Sequence, residues 1–148
     1  MNDLQDSLDT IFYSEKAYGR LNKYLSKNPP SRIFILVDTN TNEHCLTYFL
    51  SRLEAPSDIE VIEIDAGEEY KTLETCDGVW NAMSELDGDR KSLMINLGGG
   101  VVTDLGGFVA STFKRGIPFI NIPTTLLAMV DASVGGKTGV DLGNLKNQ

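Results

Sequence analysis

Four strand-like runs punctuate this chain at regular intervals: Arg32 to Val37, Ile59 to Ile64, Ser92 to Leu97 and Ile117 to Ile122. Between them lie segments with helical spacing, and each run closes on a turn rich in Gly, Asp or Thr. A continuous apolar strand must be covered on both faces, which is the condition of a parallel sheet sandwiched by helices. Thr41 to Leu53 reads as one helix. Leu73, Cys76, Trp80, Met83 and Leu86 mark the buried stripe of a second, and Val101 to Phe113, apolar nearly all round, reads as a buried third. Ile11 to Leu25 reads as a strand entering a helix, Asn28-Pro29-Pro30-Ser31 as a loop, and Pro123-Thr124-Thr125 as the start of a further helix. The class expected is α/β: a Rossmann-like, open, mostly parallel sheet with helices on both faces.

At 148 residues the chain has the size of one ordinary domain. Its longest apolar runs fall far short of the roughly 20 residues a bilayer requires. The acidic N-terminus lacks the basic-then-apolar pattern of a secretory signal, so the expected location is cytoplasmic. Cys45 and Cys76 have no CxxC spacing and are expected to be small packed thiols. Net charge is −8, and four bases against three acids from Asp104 onward leave −9 for the first 103 residues. Without a basic tract, nucleic acid is not an expected partner. His44, the only histidine, lies on a surface helix with no converging ligands around it.

In parallel sheets ligands bind beyond the carboxyl ends of the strands. Those ends read Asp38-Thr39-Asn40, Gly67-Glu68-Glu69-Tyr70-Lys71, Gly98-Gly99-Gly100 with Asp104, and Pro123-Thr124-Thr125. Three consecutive glycines let the backbone approach a pyrophosphate, and the helix that follows offers free N–H groups and a favourable dipole. Asp38 suits the hydroxyls of an adenosine ribose. Two familiar motifs fail: Gly98-x-Gly100-x-x-Thr103 lacks the third glycine of the dinucleotide fingerprint, and Gly136-Lys137-Thr138 lacks the leading glycine of a P-loop, which would fall at Asp131.

Gly98 to Phe108, Arg115-Gly116-Ile117, Ile122 to Ala128 and Asp131 to Gly139 resemble the signature blocks of the 3-dehydroquinate synthase family. Upstream, Gly67-Glu68-x-x-Lys71 and Asp38-x-Asn40 match it as well. The resemblance implies that residues 1–148 are an NAD-binding N-terminal domain, separate from a helical C-terminal domain that supplies the ligands of a divalent metal, zinc or cobalt. It also implies a reaction of the shikimate route. There 3-deoxy-arabino-heptulosonate 7-phosphate is oxidised at a ring hydroxyl with NAD, loses phosphate, is reduced again and closes by an aldol step to 3-dehydroquinate. Carried over by position, Asp38, Asn40, Glu68 and Lys71 address the adenosine portion of NAD. Gly99, Gly100, Val101, Asp104, Thr124 and Thr125 line its pyrophosphate and nicotinamide side, with Lys137 and Lys146 also at the cofactor.

Asp131, Lys137 and Asn147 face a phosphorylated sugar acid. Arg115 is expected to reach a neighbouring subunit's phosphate pocket, making the full-length enzyme a homodimer. Thr103 stands where the family often has glycine and is expected to crowd or hydrogen-bond the cofactor. Gly106, Gly107 and Gly139 are read as packing or turn glycines. The 148-residue chain alone is expected to be inactive. The alternatives are another sugar-phosphate cyclase, a metal-dependent polyol dehydrogenase, and a non-catalytic nucleotide-binding module.

Overall fold

The structure, a computed structural model, describes residues 16–124. Helix α1 spans residues 16–27. Strand β1 (Ile33–Asp38) follows, then helices α2 (Thr39–His44) and α3 (Leu46–Arg52), β2 (Ile59–Ile64), α4 (Leu73–Glu85), β3 (Leu93–Gly98), α5 (Gly100–Thr112) and β4 (Phe119–Pro123). The four strands form one sheet in the order β2-β1-β3-β4, and every pairing is parallel. The expected Rossmann-like class is observed.

The period-2 geometry of a strand sorts β1 into two cores. Ile33, Ile35 and Val37, with Leu93, Ile95 and Leu97 of β3, pack against Leu21 and Leu25 of α1 and Leu46 and Phe49 of α3. Phe34 and Leu36 face the other way, onto Cys76, Val79 and Met83 of α4 and Val102, Leu105 and Val109 of α5. Both sides of β1 are therefore fully buried from Ile33 to Val37, which is why that run carries no polar alternation. Each such side chain contributes roughly 1.5–3 kcal/mol through its burial.

Where sequence periodicity and structure differ, local chemistry explains the difference. The expected helix Thr41 to Leu53 is two helices, broken at Cys45 with φ −123°. It starts at Thr39, because Asp38 accepts from Thr41 N at 2.9 Å while Thr41 Oγ1 accepts from Asp38 N at 3.0 Å, a reciprocal cap. Leu73 is 71% exposed and not part of the buried stripe; Val79 takes its place. Phe108 is 46% exposed, so α5 is not buried all round. Its ring lies 6.0 Å from that of Trp80, whose indole N–H donates to Val109 O and Thr112 Oγ1 and so fastens α4 to α5. Strand β4 begins at Phe119 rather than Ile117, because Pro118 has no N–H to give the ladder. Ile117 instead donates its N–H back to Ala110 O. The strand expected near Ile11 and the helix expected after Pro123 lie outside the described residues.

Candidate active site at the strand ends

Because all four strands point the same way, the four turns after them share one edge of the sheet. Strand order reverses at β1. The connection from β1 to β2 runs to one side, whereas those through α4 and α5 run to the other, and right-handed crossovers put them on opposite layers. The helices diverge between β1 and β3, opening the crevice in which doubly wound sheets hold their ligands. Asp38 stands at the end of one strand and Gly98 at the end of the other.

The glycines after β3 shape the floor of that crevice. Gly98 is the last residue of β3, and a methyl group on it would come within 2.7 Å of Val102 Cβ. Its lack of a side chain is what lets α5 start hard against the strand end. Gly99 is the N-cap of α5 and makes no side-chain capping bond. The first helical bond closes from Thr103 N to Gly99 O, at 3.0 Å. The N–H groups of Gly100, Val101 and Val102 thus have no partner within the helix and carry its positive dipole end. Ser or Asp at the cap would have occupied one of them; glycine leaves them available to an anion.

Thr103 does not reach toward a ligand as expected. It is 5% exposed, and its hydroxyl lies 3.2 Å from both Gly99 O and Gly100 O, bonding back into the first turn of its own helix.

The loop after β2 closes over the same helix. Gly67, at φ +128°, starts a 3-10 turn over Glu68–Tyr70, and Lys71 Nζ then reaches Asp104 Oδ2 at 2.9 Å and Glu68 Oε1 at 3.9 Å. The Asp104 side chain is only 6% exposed. Its other oxygen, Oδ1, is buried without a hydrogen-bond partner among the described residues, and so is Thr124 Oγ1. Two orphaned polar atoms beside free helix N–H groups mark a place built for a polar ligand.

Asp104 holds the Lys71 ammonium above its ordinary pKa, the hydrogen bond between them being the main cause. A cation stabilised in the fold contributes fully below its unfolded pKa and loses that contribution as pH rises through the folded one. The gap in melting temperature between the native chain and Lys71→Met should therefore hold steady from neutral pH and shrink only beyond the ordinary lysine range. A gap that ignores alkaline pH contradicts the pairing.

Among the expected site residues, the structure brings together Asp38, Asn40, Glu68, Lys71, Gly99, Gly100, Val101, Asp104 and Thr124 along the strand-end edge. Asp38 Oδ1 is taken by its capping bond, and Asn40 is exposed in the first turn of α2. Arg115 stands apart. It follows α5, which runs back along the sheet, and so lies at the opposite, amino edge, exposed and in the left-handed region at φ +70°. Thr125, Asp131, Lys137, Lys146 and Asn147 lie outside the described residues. His44 is exposed beside Glu43. Among the described residues no group of three His, Cys, Asp or Glu side chains could hold a metal, and no helix is long and apolar enough to cross a membrane.

Cys45, expected as a small packed thiol, is half-buried where it interrupts the α2–α3 segment and lies 4.0 Å from Thr124 O. No sequence period could have revealed this, because the contact spans 79 positions.

A parallel sheet with a glycine-led helix at its switch point defines this protein as a Rossmann-like α/β domain. Residues 61–148 match the model of the 3-dehydroquinate synthase N-terminal family, and the chain belongs to that family. It is 45% identical over 130 residues to the 3-dehydroquinate synthase of Parabacteroides distasonis, covering 88% of this chain and 36% of that protein. With the enzyme of Campylobacter jejuni it shares 50% over 117 residues, or 79% of this chain and 33% of the other. The chain thus spans about a third of the length of these relatives.

Among solved structures, 2-epi-5-epi-valiolone synthase from Streptomyces hygroscopicus, with NAD+ and Zn2+ bound, superposes at TM-score 0.54 and 32% identity. It covers 70% of this chain and 29% of that one. A 2-deoxy-scyllo-inosose synthase superposes at TM-score 0.68 over 76% of this chain and 31% of that one; at 24% identity it shares the fold.

Proposed function

We propose that this chain is the NAD-binding portion of a 3-dehydroquinate synthase, converting 3-deoxy-arabino-heptulosonate 7-phosphate to 3-dehydroquinate and phosphate. One observation carries the reading: the unpartnered N–H groups at the start of α5 share the strand-end edge of the sheet with the orphaned oxygens of Asp104 and Thr124. An N–H cluster of that kind suits a pyrophosphate, and a buried carboxylate oxygen and hydroxyl suit the amide and sugar groups of a nicotinamide nucleotide. When bound, NAD supplies a reversible two-electron acceptor, so a ring hydroxyl becomes a ketone and the neighbouring C–H becomes acidic.

The residues of this chain supply position. Gly98 to Val101 hold the diphosphate at the helix end, Asp38 and Asn40 take the adenosine side, and the Lys71–Asp104 pair anchors the β2 loop over α5. Lys137 and Asn147 serve the substrate phosphate, Asp131 a ring hydroxyl, and Arg115 the phosphate pocket of a second subunit in a homodimer. That division of labour agrees with Arg115 lying on the far edge of its own sheet. The metal, zinc or cobalt, is held by residues beyond this chain, in the remaining two thirds of an enzyme as long as its relatives. Identities of 45–50% to 3-dehydroquinate synthases, against 32% to the valiolone synthase, favour this reaction over cyclitol formation.

Calorimetric titration of the chain with NAD should show one site per chain, while incubation with the heptulosonate phosphate and NAD should release no phosphate. Absence of any NAD binding at millimolar cofactor removes the reading. Turnover by the chain alone refutes the division of labour.

A further inference from the structure

Cys45 sits at the break between α2 and α3. Helix α2, which it closes, starts from Asp38 at the end of β1, and Thr124, just past β4, presents its carbonyl oxygen 4.0 Å from Sγ. Strands β1 and β4 are not neighbours; β3 runs between them. Thr124 N in turn donates to Gly98 O at 3.2 Å. A side chain on the helix that starts at the end of β1 and that reaches the end of β4 lies beside the end of β3 between them, where the glycine cradle begins. Cys45 thus stands on the α3 layer of this edge, and α5 lies on the other layer. Thr124 also keeps its own hydroxyl buried, with no partner among the described residues. Cys45 itself is half-buried, whereas Cys76 is buried in the α4 core.

We propose that the Cys45 thiol is a wall of the nucleotide crevice and a modification site, so that a bulky adduct on Sγ and a bound dinucleotide exclude each other. The inference rests on the NAD-binding reading above. With N-ethylmaleimide the chemistry is conjugate addition. The thiolate sulfur forms a bond to one alkene carbon, the alkene π pair moves to the adjacent carbon, and that carbon takes a proton from water in place of the one the thiol gave up. Nothing is oxidised and no group leaves. Burial, with a smaller push from Asp38, raises the Cys45 pKa, so addition should be slow at neutral pH and quicken as pH rises.

The test is the rate of maleimide addition at Cys45, followed by peptide mass spectrometry without NAD and at saturating NAD, with Cys76 as internal reference and calorimetry run in parallel. Bound NAD should slow Cys45 at least tenfold and leave Cys76 unchanged. Cys45→Ser should bind NAD within about twofold of the native chain, and Cys45→Trp at least tenfold more weakly at an unaltered far-UV spectrum. If calorimetry shows NAD bound while Cys45 reacts undiminished, the wall assignment is wrong and the function stands. If NAD does not bind at all, both fall. Should Cys45→Trp fail to fold, the protection ratio on the native chain decides.

Discussion

Gly106→Ala should destabilise the chain by roughly 3 kcal/mol, the upper end of what overpacking a closed core costs, and lower its melting temperature by on the order of 10 °C. The new methyl group would lie 1.9 Å from Asn96 Oδ1 and 2.2 Å from Asn96 Cγ. Asn96 cannot swing aside easily. It is fully buried on β3, and its amide donates to Asn121 Oδ1 at 2.9 Å across the β3–β4 pairing. Either the Asn96–Asn121 hydrogen bond breaks in the buried interior or α5 lifts off the sheet.

Two other helical glycines provide the contrast. A methyl group added at Gly78 in α4 would have nothing within 4 Å, so Gly78→Ala should stabilise by about 0.5–1 kcal/mol through helix propensity alone. At Gly107 the methyl group would meet only Phe119, at an ordinary 3.4 Å, and the change should be close to neutral. Thermal unfolding of the three variants, followed by circular dichroism, checks the order. A Gly106→Ala protein as stable as the native chain would mean that α5 does not rest on the Asn96–Asn121 pair.

The largest expected effect on ligand binding is at Gly98. A methyl group there meets Val102 at Cβ and Cγ2, both 2.7 Å away, and at Cγ1, 3.1 Å away. Val102 is β-branched and fully buried, so its side chain has no other well to occupy. The strain is relieved by moving the first turn of α5, which carries the N–H groups read as the diphosphate cradle. Gly98→Ala should therefore weaken NAD binding at least tenfold, about 1.4 kcal/mol, and Val102→Ala in the same chain should restore part of it by removing both γ-methyls. Unchanged NAD affinity in a folded Gly98→Ala protein would separate the cradle from the cofactor.

Much of this architecture was legible from composition along the chain. The strands at Ile33, Ile59 and Leu93 announce themselves because burial on both faces, or on one, leaves no choice but β-branched and long aliphatic side chains. The turns after them are legible because glycine, Asp and Thr serve backbone geometries and caps that few other residues tolerate. Gly106 could be guessed as a packing glycine, but its partner, an asparagine amide on β3, could not. Likewise the Gly98-to-Asp104 block pointed to a phosphate-binding helix end, while Thr103, standing where the resembled family often has glycine, suggested a side chain crowding or hydrogen-bonding the cofactor. In the fold, Thr103 turns back onto the carbonyls of Gly99 and Gly100, and close packing of strand and helix is secured by Gly98 and Gly106 instead.

By itself the sequence determined the α/β class, the parallel sheet and which turns share its carboxyl edge, since these follow from local periodicity and from residues adjacent in the chain. Only the tertiary structure decided that Lys71 meets Asp104 across 33 positions, that Cys45 meets Thr124 across 79, and that Arg115 stands at the opposite edge from the cradle. Strand order is the reason. It is set by how two layers of helices best bury a sheet, a property of the whole assembly that no window of neighbouring residues encodes.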